Sequence, residues 1–235
     1  MADVAVALDV PSGERALALV DALGETGDFY KVGLELYTRA GPRVVGELRE
    51  RGKRVFLDLK LHDIPNTVAA AVRAAGDLEV ELLTVHATGG SAMMEAAAEA
   101  ASGGLRLVAV TLLTSLAPVD VESVWGREIL SLRDEVVRLS GLAAESGIHG
   151  VVASPLEVEA IKRRVDRDLL VVTPGIRPSG RDLHDQARVA TPAEAVRAGA
   201  DVLVVGRPVT AAAEPARALA AIRASIEGVG TEVAG

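Results

Sequence analysis

Short hydrophobic runs rich in Val, Leu and Ile recur along the chain, and longer segments rich in Ala, Glu and Arg separate them. Runs that are apolar throughout, without regular polar alternation, are typical of strands buried on both faces in a parallel sheet. The pattern predicts eight strands, at residues 4–9, 29–33, 54–60, 82–87, 105–113, 149–154, 169–175 and 201–206.

The segments between these runs carry the pattern of amphipathic helices. Their apolar residues fall at three- and four-residue spacing, and a glycine often follows the end of the segment. Helices are predicted at residues 13–24, 66–76, 91–101, 134–147 and 191–200, and Gly141 makes the fourth of these segments less regular.

Alternation of strands and helices defines the predicted fold class. Eight such units within 235 residues indicate an α/β protein with a closed (β/α)8 TIM barrel. An open doubly wound sheet is the alternative, but no Gly-x-Gly-x-x-Gly sequence follows the first strand. No linker or low-complexity segment interrupts the pattern, so we expect residues 1–235 to form one domain, with residues 228–235 as a frayed tail.

Composition and charge narrow the function classes. The chain is 49% hydrophobic and 25% charged, which is a globular balance, and it has no Cys for disulfides or thiolate chemistry. The N-terminus becomes polar too early for a signal peptide and no apolar run reaches membrane-spanning length, so we expect a soluble cytoplasmic protein without a membrane partner. The net charge of −8 and the scarcity of aromatic residues argue against a nucleic-acid partner.

Polar side chains collect where the predicted strands end. In a (β/α)8 barrel the carboxyl ends of all strands open onto one face, and that face carries the active site. The local cations among these residues would allow a small anionic substrate despite the negative net charge. The residues are Asp9, Lys31, Asp58, Lys60, His86, Thr114, Ser154, Arg177 and Arg207.

The segment VFLDLKLHDIPNT, residues 55–67, sets three charges into or just after a hydrophobic strand. Asp58 and Lys60 are two residues apart, so their side chains should leave the same face of the strand. Buried charges are unfavourable unless they pair or take part in chemistry. A structural ion pair at the barrel rim is one interpretation of Asp58 and Lys60, and a helix-start residue is one interpretation of Asp63.

The same segment resembles the D-x-K-x-x-D signature of bacterial orotidine 5′-monophosphate decarboxylases. The resemblance extends over about residues 3–226, because ALDVPS, YKVGLELY, VHATGG, TLLTS, TPGIRP, DQARVATPAEA and GADVLVVGRPVT follow in the family's order. The chain departs from the family pattern at Thr84, where Asn is frequent, and at Leu116, where Met is common. We expect neither position to carry the chemistry.

This resemblance implies the conversion of orotidine monophosphate (OMP) to uridine monophosphate (UMP) and CO2 in pyrimidine biosynthesis, without a cofactor or metal. Lys60 would stabilise and protonate the carbanion at C6, and Asp58 and Asp63 would keep Lys60 charged. Lys31 would continue the alternation of charges and contact the ribose. The resemblance also implies a homodimer whose two chains share each active site.

The remaining implied roles concern substrate binding. Loops after the seventh and eighth strands of a barrel frequently bind phosphate, so Gly206 and Arg207 are predicted to do so, with Pro208 starting a helix. The polar loop from Arg177 to Gln186 is predicted to close over the phosphate as a lid. By resemblance, further substrate contacts come from Asp9 and Thr67 to the ribose, Thr67 from the neighbouring subunit, and from Thr114, with Ser115 beside it, to the pyrimidine edge.

Two other functions fit part of the pattern. Related barrel lyases that act on sugar phosphates share the D-x-K-x-x-D core but use Mg²⁺ and an enediolate intermediate. Lys31, the LLTS segment and the Arg177–Gln186 loop favour the nucleotide decarboxylase. A catalytically inactive nucleotide-binding barrel is the other possibility, and the complete charge set argues against it. His62 and His86 lack a metal-ligand pattern, so we expect them to pack or to form hydrogen bonds.

Overall fold

Eight parallel strands close into a barrel in the computed structural model, which describes residues 2–166, 168–178 and 190–229. Each strand pairs with the next along the chain, and the first pairs with the last through Asp3–Val202 to Val6–Val205. The predicted TIM barrel and all its predicted strands are therefore confirmed. The strands are β1 (Asp3–Ala7), β2 (Phe29–Gly33), β3 (Arg54–Leu61), β4 (Leu82–His86), β5 (Arg106–Val110), β6 (Gly150–Val152), β7 (Leu170–Thr173) and β8 (Val202–Val205).

Helices surround the barrel, and the five predicted ones are confirmed as α1, α4, α5, α7 and α9. Side chains fix some of their starts: the Ser12 hydroxyl accepts the Arg15 N–H at the start of α1, and Thr191 with Glu194 forms a capping box at α9. The helices are α1 (Gly13–Leu23), α2 (Leu34–Ala40), α3 (Arg43–Glu50), α4 (Pro65–Gly76), α5 (Ser91–Ala100), α6 (Pro118–Trp125), α7 (Leu132–Glu145), α8 (Val158–Arg164), α9 (Pro192–Arg197), α10 (Arg207–Thr210) and α11 (Pro215–Ala224).

Two apolar layers form the core. The outer layer lies between the strands and the helices, and the inner layer fills the barrel with residues such as Phe29 of β2, Phe56 of β3 and Leu82 of β4. Because side chains alternate along a strand, the next inward position toward the carboxyl end lies two residues further on. On β2 and β3 these positions are Lys31 and Asp58, so the inward series passes directly from apolar packing to charge.

The opposite, amino-terminal end of the barrel carries an ion network centred on Arg54. Its guanidinium lies 2.6 Å from a carboxylate oxygen of Asp3 and 2.6 Å from one of Glu81. It also lies over the Phe29 ring, 4.3 Å from the ring centroid, and Arg106 pairs with Glu81 at 2.6 Å. The starts of β1, β3, β4 and β5 are thereby joined at the end away from the charged inward positions.

No helix in the described part of the chain is long and apolar enough to cross a membrane. Residues 230–235 of the predicted C-terminal tail lie outside the described residues. That the whole chain forms one domain therefore stays a prediction.

Candidate active site

An irregular stretch of β3 positions the central lysine. β3 pairs with β4 at Leu57 and Leu83, and the register then shifts before pairing resumes at Leu61 and Val85. Within this stretch Lys60 has a φ of 52°, in the left-handed region that residues with a side chain rarely adopt. Such a conformation costs on the order of 1–3 kcal/mol and persists only where the surroundings enforce it.

The predicted meeting of Asp58 and Lys60 is confirmed, and Lys60 lies within the register shift between β3 and β4. Lys60 Nζ lies 2.7 Å from Asp58 Oδ1. On the other side of the same carboxylate, Lys31 Nζ lies 3.4 Å from Oδ2, and it also lies 3.1 Å from Asp9 Oδ1. Acid and base thus alternate from Asp9 through Lys31 and Asp58 to Lys60, so each charge of this chain has an opposite neighbour.

Asp58 is the most constrained carboxylate of the site, with only 12% of its side chain exposed. Burial raises the pKa of Asp58, but the charges of Lys31 and Lys60 lower it. Hydrogen bonds from Lys60 and Thr84 add to the lowering, so the pKa lies below its ordinary value of 3.8. Asp58 is therefore ionised at neutral pH despite its burial.

Thr84 of β4 is a residue of this site that the sequence interpretation missed. We expected it to lie apart from the chemistry, but its Oγ1 accepts the Lys60 N–H at 2.7 Å and donates to Asp58 Oδ1 at 3.0 Å. Thr84 is fully buried. Its place in the inward series of β4, two residues after Leu82, was the available signal.

A cavity of about 520 Å³ opens at the carboxyl ends of the strands, a size suited to a small-molecule ligand. Apolar side chains from β5, β6 and β7 line it across the barrel from the charges after β1 and on β2 and β3. An apolar wall opposite the charges lowers the local dielectric constant and strengthens electrostatic interactions. The predicted site residues that line this cavity are Asp9, Lys31, Asp58, Lys60, Thr114, Arg177, Gly206 and Arg207.

Arg177 and Arg207 bring positive charge to the rim beyond β7 and β8. The predicted helix after Gly206 is present as α10, which has Gly206 as its N-cap and Pro208 in its first turn. A methyl group built on Gly206 would reach only ordinary contact distances, 3.8 Å from Ala7 Cβ and 4.0 Å from Asp9 Oδ2. Neighbouring side chains of the chain therefore do not require glycine at this position.

Several predicted site residues do not join the cavity of their own chain. Asp63 is exposed and forms no ion pair within the described ranges; its Oδ1 accepts the Ile64 N–H at 2.6 Å. α4 begins at Pro65 with Ile64 as its N-cap, so Asp63 lies one residue before the cap position and accepts the N–H of the cap residue rather than one within the helix. Thr67 and Ser115 are also exposed. Gln186 and most of the predicted lid lie outside the described residues.

His62 and His86 stack beside this site, with ring centroids 5.3 Å apart. His86 Nδ1 lies 2.8 Å from Thr88 Oγ1, and this confirms the expectation of packing and hydrogen bonding. Burial, followed by the charges of His62 and Lys60, lowers the pKa of His86 to about 4. His86 is therefore neutral near pH 7 and adds no charge beside Lys60.

Comparison with known proteins supplies the family. The sequence model described as "Orotidine 5'-phosphate decarboxylase / HUMPS family" matches residues 2–222. The chain is 54% identical to the orotidine 5′-phosphate decarboxylase of Halorhodospira halophila, with 96% of each chain covered. It is 49% identical to that of Moorella thermoacetica, over 95% of this chain and 92% of the relative.

Solved structures agree with the sequence relatives. The crystal structure of the orotidine 5′-phosphate decarboxylase from Lactobacillus acidophilus superposes with a TM-score of 0.85 at 39% identity, covering 97% of this chain and 100% of that one. The corresponding structure from Pyrococcus horikoshii gives a TM-score of 0.78 at 27% identity, covering 96% and 99%. Taken with the full-length sequence matches, these likenesses show that the chain belongs to the orotidine 5′-phosphate decarboxylase / HUMPS family.

Proposed function

We propose that this protein decarboxylates OMP to UMP and CO2 without a cofactor, in pyrimidine biosynthesis, and that Lys60 protonates the reacting carbon. The observation that carries the proposal is the 2.7 Å pairing of Lys60 with the buried Asp58 in the cavity. The names of the full-length relatives support the same reaction.

The chemistry explains why an ammonium group is needed. When the bond between C6 and the carboxylate breaks, its electron pair stays on C6 in an orbital in the plane of the ring, where the π system cannot accept it. The enzyme must stabilise this localised charge and then supply a proton. Lys60 does both: its charge stabilises the developing carbanion, its proton forms the new C6–H bond, and the neutral amine regains a proton from solvent.

Asp58 has two functions in this mechanism. Its carboxylate keeps Lys60 protonated until the transfer, because a neighbouring negative charge favours the ammonium form. Its position beside Lys60 also brings it near the departing carboxylate, whose repulsion is relieved as CO2 leaves. Lys31, 3.4 Å from the other oxygen of Asp58, holds that carboxylate in place while it contacts the ribose together with Asp9.

The rim of the cavity holds the rest of the nucleotide. Arg207 and Arg177 bind the phosphate dianion, Gly206 allows its approach to the backbone, and Thr114 hydrogen-bonds the pyrimidine edge with Ser115 nearby. Gln186, in the predicted lid, contacts the phosphate and the base. The two arginines offset the negative net charge of the chain locally.

Each active site is completed by a second copy of the chain. The exposure of Asp63 and Thr67 supports this arrangement, since neither contacts its own cavity. Ile64, next to Asp63, is 67% exposed, and Leu34 after the neighbouring strand β2 is 54% exposed. In the homodimer these apolar side chains are covered, Asp63 reaches Lys60 of the partner and Thr67 reaches the ribose.

The cellular setting follows from the proposed substrate. OMP is a water-soluble nucleotide, so the proposed enzyme acts in the cytoplasm. The net charge of −8 also argues against a nucleic-acid partner.

A metal-dependent lyase acting on sugar phosphates is the alternative, because related barrels of that kind share the D-x-K-x-x-D core of residues 58–63. The purified protein should consume OMP in the presence of EDTA, followed by the change in ultraviolet absorbance, at the same rate as with Mg²⁺. A Lys60→Arg variant should be folded but nearly inactive, since a guanidinium keeps the charge and does not release its proton. Turnover that EDTA abolishes and Mg²⁺ restores would favour the alternative.

A further inference from the structure

Thr84 connects the backbone of Lys60, the proposed proton donor, to the carboxylate of Asp58. Its hydroxyl group carries one proton, and the Lys60 N–H already donates to its oxygen, so its own proton is directed to Asp58 Oδ1. The same Oδ1 accepts a hydrogen bond from Lys60 Nζ at 2.7 Å. The three bonds form a closed ring that begins at the backbone of Lys60 and ends at its side chain.

The backbone bond of this ring replaces a missing strand contact. Lys60 lies beyond the last residue pair of β2 with β3, which is Gly33 with Asp58, and within the register shift against β4. Its N–H would lack a strand acceptor there, and a buried N–H without a partner is unfavourable. The hydroxyl of Thr84 supplies the acceptor and so helps to hold Lys60 at its φ of 52°.

The side-chain bond of the ring orients Asp58. A carboxylate can rotate about its last torsion angle, and Lys31 at 3.4 Å constrains only Oδ2. Thr84 fixes Oδ1 from inside the barrel, on the side away from the cavity, because it is fully buried and does not line the cavity. Asp58 Oδ1 is thus held where it accepts the hydrogen bond from Lys60 Nζ.

From this ring we infer that Thr84 is a positioning residue for the proton transfer, which it serves by holding Lys60 and Asp58 in their reactive arrangement. The inference rests on the proposed function. It requires a side chain that donates and accepts at one point, which serine can do and the isosteric valine cannot.

The test is steady-state decarboxylation of OMP by three variants beside the wild type. Thr84→Val should lower kcat about 10- to 100-fold, in keeping with the loss of a hydrogen bond to a charged group. KM should change less than about 3-fold, because Thr84 lies outside the cavity lining. Thr84→Ser should recover most of the activity.

Thr173→Val is the matched control. Thr173 is an equally buried strand threonine, at the end of β7, and its Oγ1 has no hydrogen-bond partner among the described residues. Its replacement should leave kcat within about twofold of the wild type, since no hydrogen bond is lost.

A pH profile separates positioning from a general loss of stability. Removal of the Thr84 hydrogen bond takes away a contribution that lowers the pKa of Asp58, so the acidic limb of kcat should move to higher pH in Thr84→Val and not in Thr84→Ser. A role limited to stability would lower the melting temperature without moving that limb.

The outcomes are distinct. A folded Thr84→Val variant with wild-type kcat and an unshifted acidic limb would overturn the inference and leave the proposed function intact. If Thr84→Val does not fold, Thr84→Ser and Thr84→Ala are compared, and equal kcat values for those two would overturn it as well. A wild-type protein that does not turn over OMP would instead refute the proposed function, and the inference with it.

Discussion

Replacement of Arg207 by alanine removes one of the two cations on the phosphate side of the cavity. The charged residues described around the cavity are four cations and two carboxylates, which gives a local charge of +2 in a chain whose net charge is −8. Asp9, Lys31, Asp58 and Lys60 pair with one another, and Arg177 and Arg207 are the other two charged residues of this set. The Arg207→Ala variant should therefore keep its charged network while the local charge falls to +1.

The magnitude follows from the interaction that is lost. A charge pair about 4 Å apart contributes about 4 kcal/mol at an effective dielectric constant of about 20. Truncation of one partner of a buried, hydrogen-bonded charge pair costs about 2–5 kcal/mol. We expect kcat/KM for OMP to fall by a factor of about 30 to 4,000, since every 1.4 kcal/mol corresponds to about tenfold.

The assay compares OMP with orotidine, which lacks the phosphate. Arg207→Ala should reduce kcat/KM for OMP and leave that for orotidine nearly unchanged. Arg217→Ala is the matched control, because Arg217 is 84% exposed and its pair with Glu214 at 3.5 Å is of the exposed kind that contributes little. An equal loss for both substrates would refute the reasoning and assign Arg207 to the fold or to the base.

The shared site and the ion network give two more predictions. Homodimers of Lys60→Ala and of Asp63→Ala should each be nearly inactive, but mixed dimers should regain activity. One of their two sites then takes Lys60 from the Asp63→Ala chain and Asp63 from the Lys60→Ala chain. Hybrids that are confirmed by mass spectrometry but show no activity would assign Asp63 to the site of its own chain. Hydrogen bonds from Arg54 are the largest cause that lowers the pKa values of Asp3 and Glu81, so their stabilisation is present above the ordinary values of 3.8 and 4.5 and is lost as the pH falls toward the lowered values. In urea unfolding below pH 4.5, Arg54→Met should therefore lose less additional stability on acidification than the wild type, and parallel losses would contradict this account.

The barrel could be predicted from the sequence because each of its strands is an apolar run that local composition reveals. The helices α2, α3, α6 and α8 were not predicted, because segments of seven or eight residues give a three- to four-residue period little room to repeat. α9 has only six residues but was predicted within the longer segment 191–200, and α10 was predicted from Pro208. α11, with the sequence PARALAAIRA, was also not predicted, and its Ala content does not explain this, since α5 has as many Ala residues and was predicted.

Only part of the candidate site could be predicted from the sequence. The charged residues at strand ends could be named from the sequence, since the barrel brings all those ends to one face. The role of Thr84 was missed, because its place in the inward series of β4 indicates only that it faces the interior, whereas its hydrogen bonds depend on where β4 lies against the irregular stretch of β3. The proposed role of Asp63 depends on a second chain, and a single sequence carries no direct sign of that.

The layered interior of the barrel has a consequence for how such a protein can change. Three positions of the cavity lie two residues beyond an apolar residue of the inner layer, toward the carboxyl end. They are Lys31 after Phe29, Asp58 after Phe56 and Gly206 after Val204. The reactive residues thus form a separate layer above the inner apolar layer, and replacing one of them leaves the apolar side chain below it unchanged. Mutational libraries restricted to this reactive layer should yield many folded proteins with new ligand preferences, because the inner apolar layer and the Arg54 network continue to stabilise the barrel.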